Sequence, residues 1–215
     1  NVLSTLVKVP YISGGKITNR NVLLDAGENT LGTIHRLFPS ADVQILFQDL
    51  KLIYLSHLHA DHHLGIVSVL KEWYKYNSAD ETAKIYLVTP WQYNKFINEW
   101  FSLEDHALIE RIRYISCEHL VDGGYVRKEI KPISLDELDS IIQPSSKKRR
   151  LQLVEDSSFR NLAAIKQMYK DLKIMKFQTC RAKHCDWAYS NAISFFMNSN
   201  TRTVFKLSYS GDTRP

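Results

Sequence analysis

Cysteine is scarce in this chain of 215 residues, which has three: Cys117, Cys180 and Cys185. An odd and sparse set excludes a disulfide framework and fits a reducing compartment. Proline (6) and glycine (8) are too few for a low-complexity or collagen-like polypeptide. No apolar stretch approaches the ~20 residues that a membrane-spanning helix needs, so no membrane is expected among the partners. A charged-then-apolar leader with a small-residue cleavage site is missing, and the first residue is Asn1 rather than Met. With SGDTRP as its last residues, the sequence reads as an internal piece of a longer polypeptide. On this reading, residues 1–215 are a single domain truncated at both ends.

What is present is a globular composition, 44% hydrophobic and 24% charged, sufficient for one large α/β core. The net charge of +5 and a pI near 9.0 favour polyanionic partners, nucleic acid among them. The stretches NVLSTLVKVP and NVLLDAG read as strands around the turn SGGK, a hairpin over residues 2–25. NTLGTIHRLFP spaces Leu31, Ile34, Leu37 and Phe38 for a helix that stops at Pro39. KLIYLS and KIYLVTP are buried strands by length and composition, and LGIVSVLKEWYKY and WQYNKFINEWF are helices. Strands alternating with helices favour a sheet covered by helices. QPSSKKRR, residues 143–150, reads as a flexible basic surface loop. After it comes the helix SSFRNLAAIKQMYKDL, with Ser157 or Ser158 as N-cap, and three strands: KIMKFQTCR, AISFFMN and TVFKLSYS.

Four of the eight histidines fall in SHLHADHHLG, residues 56–65. A buried imidazole has two nitrogens to satisfy, so packing alone rarely concentrates histidines this way. In His57-x-His59 the extended chain points both rings the same way, toward one ion. Asp61 and His62, past the turn, can face a second ion. Histidine and aspartate are ligands that Zn²⁺ accepts. Two ions need further ligands, and two strand ends offer them: His184 in AKHCDWAY and Asp212 in SYSGDTRP. His63 would face away from its neighbour His62. His35, His106 and His119 read as ordinary histidines, and Cys185 as structural.

These motifs together resemble the tRNase Z family of metallo-β-lactamase-fold hydrolases, endonucleases that remove the 3′ trailer from precursor tRNA. LLDAGENTLG resembles the family's LDCGEGT segment, with Ala26 in place of its cysteine and Asn29 in place of its second glycine. LSHLHADHHLG matches its histidine motif closely, AKHCDWAY resembles its His-Cys motif, and SYSGDTRP is close to its own wording. The fold implied is α/β, a four-layer αβ/βα sandwich, here incomplete.

The resemblance implies two Zn²⁺ ions, with Mn²⁺ or another divalent metal as substitute. His57, His59 and His184 would hold one ion, Asp61 and His62 the other, and Asp212 would bridge them. Asp25 and Glu28 would orient metal-bound histidines. Asn1, the remnant of the family's PxKxRN loop, and Arg214 would contact RNA, with Lys183 and Arg181 nearby. The reaction implied is attack of hydroxide on the phosphodiester after the discriminator nucleotide, with Asp61 orienting or accepting the proton.

A last histidine ligand and the general-acid histidine lie downstream of GDTRP in the family, so this stretch is expected to be inactive alone. Only 27 residues separate His184 from Asp212, leaving no room for the tRNA-clamping arm of short-form enzymes. That spacing matches the catalytic C-terminal half of a eukaryotic long-form enzyme. Its partners would be precursor tRNA and the arm-bearing, degenerate N-terminal half of its own polypeptide. Nucleus and mitochondrion are the implied locations. The alternatives are a hydrolase of small esters or thioesters on the same fold, and a non-catalytic RNA-binding scaffold that kept its metal site.

Overall fold

The computed structural model describes residues 3–104, 106–121 and 162–214. The 143–150 loop, the N-cap serines and Asn1 lie outside them.

Four short strands open the chain where the sequence suggested one hairpin. β1 (Thr5–Val7) pairs antiparallel with β4 (Asn21–Leu24), and nested between them β2 (Pro10–Ser13) pairs with β3 (Lys16–Asn19). Gly14 and Gly15, at φ +55° and +78°, make the tight turn between β2 and β3. The inner pair turns away to form its own two-stranded sheet.

The main sheet continues with β5 (Leu50–Tyr54), β6 (Ile85–Thr89) and β7 (Ile112–Ser116), in the order β1-β4-β5-β6-β7. The pairings from β4 to β7 are parallel. Between its strands run α1 (Thr30–Leu37), α2 (Ser40–Asp49), the short α3 (Ala60–His63), α4 (Ile66–Asn77), α5 (Trp91–Glu104) and α6 (His106–Ile109). After β7 comes a 3₁₀ turn, Cys117–Leu120, and then α7 (Leu162–Leu172). The last strands, β8 (Ile174–Arg181), β9 (Tyr189–Phe196) and β10 (Val204–Tyr209), form an antiparallel sheet in the order β10-β9-β8. α2 and β7 had no sequence-based expectation. α2 buries Val43, Leu46 and Phe47, a three-residue stripe spaced for one helix face, directly behind Pro39.

The pleat sorts the main sheet's side chains into two cores. Leu23, Ile53, Leu55, Ile85 and Leu87 pack against α1, α2, α4 and α5. Their neighbours Val22, Leu24, Leu52, Tyr54, Tyr86 and Val88 face the other way, into α7 and the three-stranded sheet. Both faces being covered explains why these strands read as continuous apolar runs. Arg20, nearly inaccessible, donates to the carbonyls of Leu172 (2.6 Å), Pro10 (2.9 Å) and Phe196 (3.0 Å), tying the hairpin, α7 and β9 together. Burial lowers its pKa to about 10.

The two sheets are also joined where the site lies. Tyr54 donates from its hydroxyl to the Tyr189 carbonyl (2.8 Å), and the Tyr189 N–H donates to the Ser56 carbonyl (2.9 Å). The C-terminal end of β5 is thereby fixed beside the start of β9.

Candidate metal centre

The site begins at Asp25, directly after β4, a buried carboxylate on a backbone with φ +55°. Its Oδ1 accepts the Ser56 N–H (2.7 Å). Its Oδ2 accepts the Ser56 hydroxyl (2.7 Å) and the Tyr209 hydroxyl (2.8 Å), and lies 2.7 Å from His62 Nδ1. Because an ionised carboxylate only accepts, His62 Nδ1 carries the proton in that last bond. The Ser56 hydroxyl gives its one proton to Asp25, so His57 Nδ1, 2.9 Å away, is the donor to Ser56 Oγ. In both rings the lone pair is therefore on Nε2. Both Nε2 atoms are buried without a hydrogen-bond partner. A buried polar atom in that condition costs free energy unless something binds it.

What surrounds those two atoms is a metal-type donor set. The ring centres of His57, His59 and His184 form a triangle with sides of 4.6, 4.7 and 4.7 Å, the planes crossing at 76°, 89° and 81°. Donor atoms of His57, His59, His184 and Cys185 lie within 4.8 Å of one another, as do those of His57, His62 and Asp212. Asp212 Oδ2 stands 3.6 Å from His62 Nε2 and 3.9 Å from His184 Nε2, between the two groups. Asp61 Oδ2 is 3.9 Å from His62 Nε2. Two fully buried rings, His57 and His62, form the floor, while His59 and His184 are exposed at the mouth. This donor set fits divalent metal.

The electrostatics of the two buried rings differ. Burial and the neighbouring imidazoles lower the pKa of His57 to about 4, so the ring is neutral and able to ligate at pH 7. Burial pulls His62 down as well, but its bond to Asp25 and the charges of Asp25, Asp212 and Asp61 outweigh this and raise it.

Of the six residues expected as ligands, His57, His59, His62, His184 and Asp212 fall in the two donor groups, whereas Asp61 belongs to neither and only approaches His62. His57 belongs to both donor groups rather than to one. Cys185 joins the first group, although the sequence placed it outside the site. Glu28 is exposed ahead of α1, and Asp25 alone of the expected pair holds the rings. His63 turns away and packs edge-on against Tyr93 (5.3 Å) and Phe96 (6.1 Å). His35 sits 3.4 Å from Glu72 and belongs to neither donor group. Arg214 is exposed, its N–H bonded to the Lys183 carbonyl (3.0 Å), so the tail lies along the loop that carries His184. Ser56 and Tyr209 were missed by the sequence reading. The only signal for them was adjacency, Ser56 to His57 and Tyr209 to the SGD turn.

Fold and site together define a mixed α/β domain with a histidine–aspartate donor cluster suited to a divalent metal. No family model matches the chain. Ribonuclease Z from Saccharomyces cerevisiae is 59% identical over 220 residues, covering 100% of this chain and 26% of the relative. The zinc phosphodiesterase ELAC protein 2 of Rattus norvegicus is 26% identical over 217 residues, covering 100% of this chain and 21% of the relative. The mitochondrial ribonuclease Z of Drosophila melanogaster is 27% identical over 194 residues, covering 90% of this chain and 20% of the relative. A crystal structure of a long form RNase Z from yeast superposes with a TM-score of 0.84 at 55% identity, covering 100% of this chain and 27% of that one. The chain therefore spans about a quarter of the length of these yeast relatives. Ribonuclease Z is the family that the sequence motifs resembled, and the long form is the one expected.

Proposed function

We propose that this chain contributes the metal centre of a zinc-dependent endoribonuclease that removes the 3′ trailer from precursor tRNA. The observation that carries the reading is the convergence of His57, His59, His62, His184 and Asp212 in a chain 59% identical to ribonuclease Z. The zinc in the rat relative's name supports zinc as the metal. In this reading His57, His59 and His184 would hold one ion and Asp61 and His62 the other, with Asp212, which stands between the two groups, available to both.

Bound divalent metal supplies Lewis acidity toward the phosphoryl group and lowers the pKa of water at the site. The protein's own residues set the geometry for it. Asp25, through Ser56 and directly, holds His57 and His62 in the tautomers whose Nε2 atoms face the site. Asp61, about half exposed at the mouth, orients the attacking water and accepts its proton at the carboxylate. Lys183 and Arg214, on the adjoining exposed segments, meet the phosphates on either side of the cut. Nuclear and mitochondrial locations, and cooperation with the rest of a longer polypeptide, belong to the same proposal.

The test uses the full-length protein, wild type and Asp61→Ala, with a trailer-bearing precursor tRNA and Zn²⁺ or Mn²⁺. A metal-dependent cut after the discriminator nucleotide, lost in the variant while RNA binding persists, is the expected outcome. Near wild-type turnover in the variant would remove Asp61 from the mechanism. RNA bound but uncut by the wild type would favour a scaffold.

A further inference from the structure

Beside the metal centre, two tryptophans are held in place by contacts that none of the metal-type ligands requires. The loop between β8 and β9 is closed by the Ala182 N–H bonded to the Ala188 carbonyl (2.9 Å) and carries both His184 and Trp187. Trp187 has φ +63°, a left-handed conformation that a bulky side chain rarely adopts and that clusters at functional positions. Trp91, the first residue of α5, is 41% exposed. The two indoles meet edge-on, ring centres 6.2 Å apart at 81°. In the orientation its neighbours require, the Gln92 amide oxygen accepts both indole N–H groups, from Trp91 at 3.1 Å and Trp187 at 2.8 Å.

Cations lie over both rings: the Arg181 guanidinium 5.2 Å from the Trp187 centre and the Lys95 ammonium 5.0 Å from that of Trp91. Beneath them, buried Glu118 accepts the Tyr189 hydroxyl (3.1 Å) and the backbone N–H of Trp91. Arg181 in turn donates to the Tyr189 oxygen (3.5 Å). The start of α5 and the end of β8 are thus fixed to one buried carboxylate. Trp91, so exposed, adds little to either core, while Trp187 packs at the edge of the first.

We propose that Trp91 and Trp187, flanked by Lys95 and Arg181, form a stacking platform for one unpaired base of the RNA next to the scissile phosphate. The inference rests on the ribonuclease reading above. Every base has a π-face, so aromatic stacking tolerates the varied sequences found beyond a tRNA acceptor stem, while the cations over the two rings meet the flanking phosphates. The platform positions the strand and takes no part in the chemistry.

The experiment uses the full-length wild type, Trp91→Ala and Trp91→Phe, each first shown to melt at the same temperature. Affinity is measured by fluorescence anisotropy, with divalent metal chelated so that the RNA stays intact. The RNAs are a trailer-bearing precursor tRNA and versions with a single abasic nucleotide at each position around the cut. At one position the abasic change weakens wild-type binding about tenfold. Trp91→Ala weakens binding of the intact RNA by a similar factor and is then insensitive to that abasic change, whereas Trp91→Phe keeps most of the affinity. Losses from variant and abasic site that multiply, or a wild type indifferent to every abasic position, would overturn the platform. Cleavage of the precursor by the wild type with Zn²⁺ is scored separately, so failure of the platform leaves the ribonuclease reading standing, and failure to cut overturns that reading by itself.

Discussion

Asp25 shows how one residue sets the chemistry of others. Its carboxylate receives four donors, and through them both buried histidines are held with Nε2 toward the site. Asp25→Ala leaves His62 Nδ1 and the Ser56 groups buried without their acceptor. Metal affinity is expected to fall roughly 10- to 100-fold, the usual effect of removing a partner that orients a ligand. Stability is expected to fall by at least about 1–3 kcal/mol. Chelator competition and thermal melts check the two effects. Tyr209→Phe removes one of the four donors and costs about 1 kcal/mol by the same measure.

Glu118 gives a pH signature at the same scale. Burial, outweighing its hydrogen bonds, raises its carboxyl above the usual range. A group with a raised folded pKa contributes stability that is complete below its unfolded pKa of about 4.3 and is lost as pH rises through the folded value. Melts across that window should show a smaller decline for Glu118→Gln than for wild type. Equal slopes would mean the carboxyl does not titrate in this way.

Among elements, the approach of α4 to the segment after β4 is the tightest contact around the site. A Cβ on Gly65 would lie 2.0 Å from the Gly27 carbonyl oxygen, a backbone atom that cannot swing aside. The same junction is bonded by Gly65 N–H to the Ala26 carbonyl (2.9 Å) and Ala26 N–H to the His62 carbonyl (2.7 Å). Gly65→Ala is expected to cost about 3 kcal/mol, the upper end for overpacking, and to shift the histidine segment with it. Gly15→Ala makes the contrast: its Cβ meets open space, and only its φ of +78° resists, for about 1–2 kcal/mol. Denaturant titration of both variants checks the ranking.

At the scale of the whole molecule, metal and salt are the levers. Metal that binds only the folded form adds about 2.7 kcal/mol of stability at a concentration 100 times its Kd. Chelation is therefore expected to lower the melting temperature by several degrees, and zinc to restore it. A chelator-insensitive melt would count against a structural contribution from metal. The charge of +5 bears on the substrate. Binding of precursor tRNA through phosphate contacts should weaken at least about tenfold between 50 and 200 mM salt, whereas a KM for a small ester would barely move.

The sequence alone picked out most of the side chains that gather at the site and showed the likeness to tRNase Z. The spacing in SHLHADHH is local chemistry, and strands buried on both faces announce themselves by composition. It also placed α1, α4, α5 and the three strands of the second sheet close to their observed bounds. The antiparallel pairing of β1 with β4 was implied by the expected hairpin, but the nested β2–β3 pair escaped it. β7 drew no expectation: Arg111 precedes and Arg113 interrupts its apolar residues, so it lacks the continuous run of β5 and β6. Cys185 among the donors, His57 in two groups, and the work of Ser56, Tyr209 and Glu118 were decided by tertiary structure. The bonds of Ser56, Tyr209 and Glu118 join residues 31 to 184 positions apart, and no pattern along the chain encodes such a distance.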